Sequence, residues 1–307
     1  MEPHSQNDSG AGGAAAGPQL RIGILAERRY LSQSQPSGMI ASLRALGHQV
    51  MMIDPEAAYY ELNDAHWLTR LDLVVARGRS WPVLCLLNWA EARGIPTVNQ
   101  RAAIAAVHNK AEMAVALTSA DVPTPLTLLG PPHNLARGTG ARVYPLVIKP
   151  VFGDNGRGLR IVNNPQELAA LEWPEPFALA QQFVPGNGYD LKLYAIGDEI
   201  WAVRKPSMFD RKGRHKPSAT LEKSPRAELL PLSPDWEELA RRCGRLFGLE
   251  LYGLDCMETP NGPVVIEVNE FPNYTGVPGA DEKLAEYIVC RAQGEKQRGR
   301  ETCESVL

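Results

Sequence analysis

The stretch from Gly253 to Asn269, Gly-Leu-Asp-Cys-Met-Glu-Thr-Pro-Asn-Gly-Pro-Val-Val-Ile-Glu-Val-Asn, leaves the chain few ways to fold. Two apolar runs, Tyr252 to Glu258 and Val264 to Val268, flank Thr259-Pro-Asn-Gly262, whose proline and Asn-Gly pair supply the dihedrals of a tight reversal. The segment is therefore expected to be a β-hairpin. Centred on Asn261, it sets Asp255 opposite Glu267, and Asn269, two residues on, shares the face of Glu267. Ile266 and Val268 are expected on the other face. Two carboxylates and an amide oxygen suit a hard cation such as Mg2+, which takes a few protein oxygens and completes its shell with phosphate and water.

The first part of the chain follows a different rule. Leu20 to Ala26, Val50 to Ile53, Leu71 to Ala76 and Pro96 to Asn99 read as buried strands, and they alternate with helical spacings over Ser37 to Leu46 and Pro82 to Arg93. That alternation predicts a parallel α/β layer. No G-x-G-x-x-G follows its first strand, so a dinucleotide-binding role is unsupported. A helix over Ala102 to Ser119 leads to Val122-Pro-Thr-Pro125, where the prolines force an extended segment. Beyond a Gly/Pro-rich loop from Gly130 to Gly140 the pattern changes to hairpins, one of them turning at Gly197-Asp198. The fold class expected is α/β followed by α+β.

Lys149 ends the apolar strand Val143 to Lys149 and is followed by Gly153, Gly156 and Gly158, a set of glycines through which backbone N–H groups can approach a phosphate. It is not a Walker loop, because G-x-x-x-x-G-K-[ST] is absent. Ala180-Gln-Gln-Phe-Val184 is an apolar strand that breaks into the polar loop Gly186 to Asp190, where unpaired backbone groups can meet the edge of a purine. Arg204, Lys205, Arg211, Lys212, Arg214 and Lys216 crowd one segment. The whole chain of 307 residues has 32 Lys and Arg against 35 Asp and Glu, a net charge of −3, so that cluster is local and no nucleic-acid or membrane partner is indicated. The 5 cysteines form no C-x-x-C pair, as expected of a reducing, cytoplasmic protein. No apolar run approaches the roughly 18 residues of a membrane span. Met1 to Gln19 lack the pattern of a secretory signal and read as a disordered tail.

Taken in order, these features resemble the ATP-grasp superfamily, and the likeness covers Leu20 to Ala292. Within it the chain looks closest to RimK-type peptide or glutamate ligases, on Asp190-Leu-Lys192, Gly197-Asp198-Glu199 and Glu267-Val-Asn269. The resemblance implies a pre-ATP-grasp α/β domain over 20–107 and a two-lobed ATP-grasp core over 108–292, with a small lobe at about 121–184 and a large lobe at about 185–292. Tails are expected over 1–19 and 293–307, the second frayed. It further implies that Lys110 and Lys149, with Gly153, Gly156 and Gly158, contact ATP phosphates. Gln181, Gln182, Phe183 and Val184 would hold adenine, with Asp190 and Lys192 near the ribose. Asp255, Glu267 and Asn269 would bind one or two Mg2+ ions, with Mn2+ able to substitute. Arg204 would approach the γ-phosphate, catalytic together with Lys149.

The activity implied is ligation of a carboxylate, small-molecule or peptide, to an amine through an acyl phosphate, in a monomer or homo-oligomer. Arg28, Arg29, Arg77, Arg79 and the Asn273 to Pro278 loop would face the substrates. Two features depart from the RimK pattern: Glu270-Phe-Pro-Asn273 follows Asn269, and Gln182 stands where glutamate is frequent. Leu191 to Asp198, Val203 to Ser207 and Asn269 to Gly279 also resemble inositol tris/tetrakisphosphate kinases, an ATP-grasp branch that phosphorylates hydroxyls. The acceptor therefore stays open between ligase and kinase.

Overall fold

In the computed structural model, which describes residues 18–56, 59–153, 156, 158–207 and 227–304, the first apolar run becomes β1 (Arg21–Ala26). It lies inside a parallel sheet with β2 (Gln49–Ile53), β3 (Leu73–Arg77) and β4 (Thr97–Val98), ordered β2-β1-β3-β4. Apart from Arg21 and Arg77 at their ends, its inner strands carry no polar side chain, because both faces are covered. On one face α1 (Ser34–Ala45) brings Met39 and Leu43 against Ile22 and Ile24, and on the other α2 (Trp81–Ala92) brings Val83 and Leu87 against Val74 and Ala76.

The sequence predicts one helix from Ala102 to Ser119. The chain instead forms α3 (Arg101–His108) and α4 (Lys110–Ser119), broken at Asn109, whose extended backbone (φ −82°, ψ 103°) lets its Oδ1 accept from the backbone N–H groups of Ala111 and Glu112. Apolar periodicity does not register a one-residue break, whereas an asparagine that satisfies two orphan donors stabilises one. The segment expected as a loop from Gly130 to Gly140 contains α5 (Pro132–Gly138), started by a proline at its first turn.

Two antiparallel sheets follow. The smaller comprises β5 (Thr127–Gly130), β6 (Leu146–Lys149), β7 (Arg160–Val162) and β8 (Ala178–Gln182), ordered β5-β8-β6-β7, and α6 (Pro165–Ala169) joins α5 in burying Leu146, Ile148 and Ala180. The larger, ordered β11-β10-β9-β12-β13, contains β9 (Tyr189–Ile196), β10 (Glu199–Pro206), β11 (Glu228–Leu230), β12 (Leu251–Thr259) and β13 (Gly262–Glu270). One of its faces packs Leu193, Leu254 and Val268 against α3, α4 and α7 (Pro234–Phe247). The other face carries the polar residues of the site.

The last helix, α8 (Ala280–Glu304), sets Leu284 and Ile288 into the core that α1 shares with the parallel sheet, together with Phe271 and Tyr274. The end expected to fray from Gln293 is helical through Glu304. Of the other expectations, those for residues 1–17 and for Arg211 to Lys216 lie outside the described residues. Among the described residues no helix is long and apolar enough to cross a membrane.

Candidate active site

The hairpin of β12 and β13 sets the geometry of the site. Its turn is tighter than a reversal centred on Asn261: Thr259 pairs with Gly262, and the ladder runs in that register to Cys256 and Val265. A bulge between Asp255 and Cys256 then leaves Ile266 without a cross-strand partner and shifts the register by one residue, so that Asp255 faces Glu267 and Gly253 faces Asn269. A bulge sends two successive side chains toward one side. Ile266, expected on the far face, accordingly lines the cleft next to Glu267, Cys256 and Met257, while Val268 stays on the far face and is buried in the core.

The cleft, of about 200 Å3, lies between the two antiparallel sheets. The small sheet contributes Val147, Lys149, Gln181 and Gln182, and the large sheet Asp190, Lys192, Asp255, Cys256, Met257, Ile266 and Glu267. Phe183, Val184, Gly186 and Gly188 cross from one sheet to the other along its rim. The glycine at 186 lets this crossing lie against the methyl of Met257 on the apolar floor, where a Cβ would displace the end of that side chain. The Asn109 break brings in Lys110, which opens α4 and also lines the cleft with Gly153 and Gly156. Gly158, in the same loop with φ +77°, and Asn269, on the face of Glu267, are not among the lining residues.

Lysines and carboxylates are interleaved here. Lys110 Nζ donates to Glu267 Oε1 and to the Gly153 carbonyl, both at 2.8 Å. Lys192 Nζ pairs with Asp255 Oδ1 at 2.6 Å. Burial disfavours the Lys192 ammonium, but the adjacent Asp255 carboxylate outweighs it and raises the pKa. Lys149, 4% exposed, donates to Gln181 Oε1 at 2.8 Å. Among the described residues it has no carboxylate at bonding distance, and burial pulls its pKa down, the Lys110 ammonium adding to the effect and Glu267 opposing it. A buried ammonium held by an amide remains attracted to an entering anion.

Arg204 does not join this group. It pairs across the ladder with Leu191, a residue of the opposite, apolar face, and its Nη2 bonds Glu228 Oε2 at 2.7 Å. The polar face instead receives its neighbour Lys205, opposite Asp190, with Nζ 2.6 Å from Tyr194 Oη. Burial lowers the Lys205 pKa to about 8, with the Lys192 ammonium adding to the effect and Asp255 opposing it. The family resemblance points to Arg204, although the Gly197-Asp198 turn carries the signal for Lys205. That turn pairs Ile196 with Glu199, and following the ladder outward sets Lys205 opposite Asp190.

The arginines expected to face substrates are tied into the frame. Arg79 Nη1 lies 3.4 Å from Glu270 Oε2, Arg77 Nη2 donates to Asn273 Oδ1 at 3.3 Å, Arg29 pairs with Glu27 and Arg28 with Asp54.

A cleft between two antiparallel sheets, with lysines facing a carboxylate pair across a hairpin, is the setting of an ATP-grasp ligase, an enzyme that uses ATP to join a carboxylate to an amine. The family model of the RimK-like ATP-grasp domain matches residues 107–288, and the chain belongs to that family. A probable alpha-L-glutamate ligase of Legionella pneumophila (strain Corby) is 27% identical over 300 residues, which span 89% of this chain and 97% of the relative. Among solved structures, a RimK domain ATP-grasp protein of Sphaerobacter thermophilus matches with a TM-score of 0.64 and 20% identity, over 87% of this chain and 98% of its own. The ATP-grasp ligase PsnB, complexed with minimal precursor, Mg and ADP, matches with a TM-score of 0.63 and 17% identity, over 89% and 98%. At these identities the two structures show the shared fold.

Proposed function

We propose that the cleft binds ATP with Mg2+ and that ligation proceeds through an acyl phosphate. The observation that carries this reading is the pairing of Asp255 with Glu267 at the wall of a cleft lined by Lys110, Lys149 and Lys192. The donor set fits the ion, since carboxylate and amide oxygens are the hard ligands that Mg2+ takes and Asn269 lies on the same face. One or two Mg2+ ions held there, or Mn2+ in their place, would supply charge neutralisation at the phosphates.

The chain's own residues do the rest. Lys110, Lys149 and the backbone of the Gly153 to Gly158 loop hold the phosphates. The Gln181 to Val184 segment holds the adenine edge against Ile266 and Met257, with Asp190 and Lys192 near the ribose. Phosphoryl transfer needs mainly position and electrostatic stabilisation, and Lys205 takes the place expected of Arg204 beside the transferring group. A substrate carboxylate oxygen bonds to the γ-phosphorus as the bond to ADP breaks. The amine nitrogen then bonds to the acyl carbon, phosphate leaves, and the nitrogen gives up a proton. The likeness to glutamate ligases and to a precursor-bound ligase favours amino acids or peptides as acid and amine. The described cysteines Cys85, Cys243, Cys256 and Cys290 are free thiols, in keeping with a cytoplasmic setting.

Hydroxylamine distinguishes this reaction from hydroxyl phosphorylation, because it captures an acyl phosphate as a hydroxamate and leaves a phosphate ester untouched. With a panel of amino acids and short peptides, and hydroxylamine in place of the amine, ADP release accompanied by hydroxamate is the expected result. ADP formed only with polyphosphorylated inositols, giving a stable product with one more phosphate, would overturn the ligase assignment.

Lys205 gives the reaction an alkaline limb. Its charged form is required, and with a pKa of about 8 in the free enzyme that form is lost as pH rises through 8. Since kcat/KM reports groups of the free enzyme, it should fall about tenfold per pH unit above that value. Lys205→Arg, whose side chain stays charged, should carry activity flat to higher pH. An unchanged limb in the variant would remove Lys205 from this role.

A further inference from the structure

Both carboxylates assigned to the cation are already engaged by ammonium groups. Lys110 Nζ sits 2.8 Å from Glu267 Oε1 and Lys192 Nζ sits 2.6 Å from Asp255 Oδ1, with the Lys110 side chain only 5% exposed. Among the described residues three lysines and three carboxylates, Asp190 being the third, line the cleft, so the charges of these side chains balance. A dication entering alone would place two positive charges against ammonium groups that hold the same oxygens. A polyphosphate changes the competition, because its oxygens give both lysines a stronger acceptor and bring negative charge for the metal.

Resting on the Mg·ATP reading of the cleft, we propose that Lys110 and Lys192 compete with the divalent cation for Glu267 and Asp255, making the metal site conditional on nucleotide. The lysines act as a latch on the two carboxylates. Polyphosphate draws them off, and the oxygens so released bind the cation. The order of binding follows: nucleotide enters first or together with metal, and free cation does not preload the site. Lys149 takes no part in this latch, since the one hydrogen bond its ammonium makes among the described residues goes to Gln181, and its other N–H groups remain available to the incoming phosphates throughout.

The test uses Mn2+ as the probe, read by water-proton relaxation enhancement, which distinguishes protein-bound ion from the binary Mn·nucleotide complex. The intact protein is titrated with Mn2+ alone and with a non-hydrolysable ATP analogue present. The expected result is at least tenfold tighter Mn2+ capture in the presence of the analogue. Lys192→Met should raise nucleotide-free Mn2+ affinity about tenfold, Lys110→Met should do the same at the other carboxylate, and Lys192→Met with Asp255→Asn should abolish the gain. A melting curve on each variant reports that it is folded, and the wild-type pair of titrations decides the matter without them. Equal Mn2+ affinity with and without the analogue overturns the latch alone, leaving the nucleotide site intact. Absence of Mn2+ capture in both arms, with no change of melting temperature on adding the analogue, overturns the Mg·ATP reading and the latch with it.

Discussion

Glu267→Gln should leave a folded protein that has lost Mg2+-dependent ATP turnover. Glutamine keeps the shape of the side chain and an oxygen that can accept from Lys110, so the hydrogen bond now made at 2.8 Å survives with a neutral acceptor. The variant does leave the Lys110 ammonium, 4% exposed, facing an amide in place of a carboxylate, which lowers stability modestly. Removing the charge is far more costly to the reaction. One of the two carboxylates paired across the hairpin no longer attracts a cation, and losing a preorganised electrostatic partner of the transition state typically costs about 10²- to 10³-fold in rate. Steady-state ATP turnover measured beside a melting curve checks both halves. Parental turnover in the variant would remove Glu267 from the metal site.

Lys149→Ala should abolish most of the stabilisation that nucleotide confers while leaving the free protein nearly as stable as before. A ligand that binds only the folded state adds RT ln(1 + [L]/Kd), about 2.7 kcal/mol at 100 times Kd. For a chain of this size that is a rise of roughly 4–8 °C in melting temperature. Among the described residues Lys149 is held at bonding distance by an amide and not by a carboxylate, so a phosphate oxygen would be its first directly bonded counter-charge. Its truncation removes a charge-assisted hydrogen bond of about 1.5–3 kcal/mol, enough to weaken binding about 10- to 100-fold. In the free protein the loss of the Gln181 contact is offset by relief from burying an ammonium. Differential scanning with and without a Mg·ATP analogue gives the comparison, and a ligand shift equal to the parent's would deny Lys149 a phosphate role.

What could be read from the sequence about this chain lay in short-range geometry. A strand repeats every two residues and a two-residue turn sets the register of both arms, so the meeting of Asp255 with Glu267, the turn at Gly197-Asp198 and the parallel layer before Val122 followed from local pattern alone. Even so, Asp255 met Glu267 for an incomplete reason. The turn was misplaced by one position, and the bulge at Ile266 restored the pairing while turning Ile266 into the cleft. The same local rule places Lys205, and not Arg204, on the polar face, although the resemblance to RimK-type ligases points to the arginine.

Other features needed the folded chain. The break at Asn109 lies inside an unbroken helical pattern, and only packing brings Lys110 to Glu267, 157 residues away in sequence. Lys192 meets Asp255 because β9 pairs with β12 across an intervening hairpin and helix, a choice of neighbour that no periodicity encodes. The sequence by itself determined the elements, their faces and the chemistry each face carries, because those depend on dihedral preference and spacing along a few residues. The tertiary structure alone decided which lysine holds which carboxylate, because ion pairs between distant segments form only after sheets and helices have buried their apolar faces and fixed the distances between them.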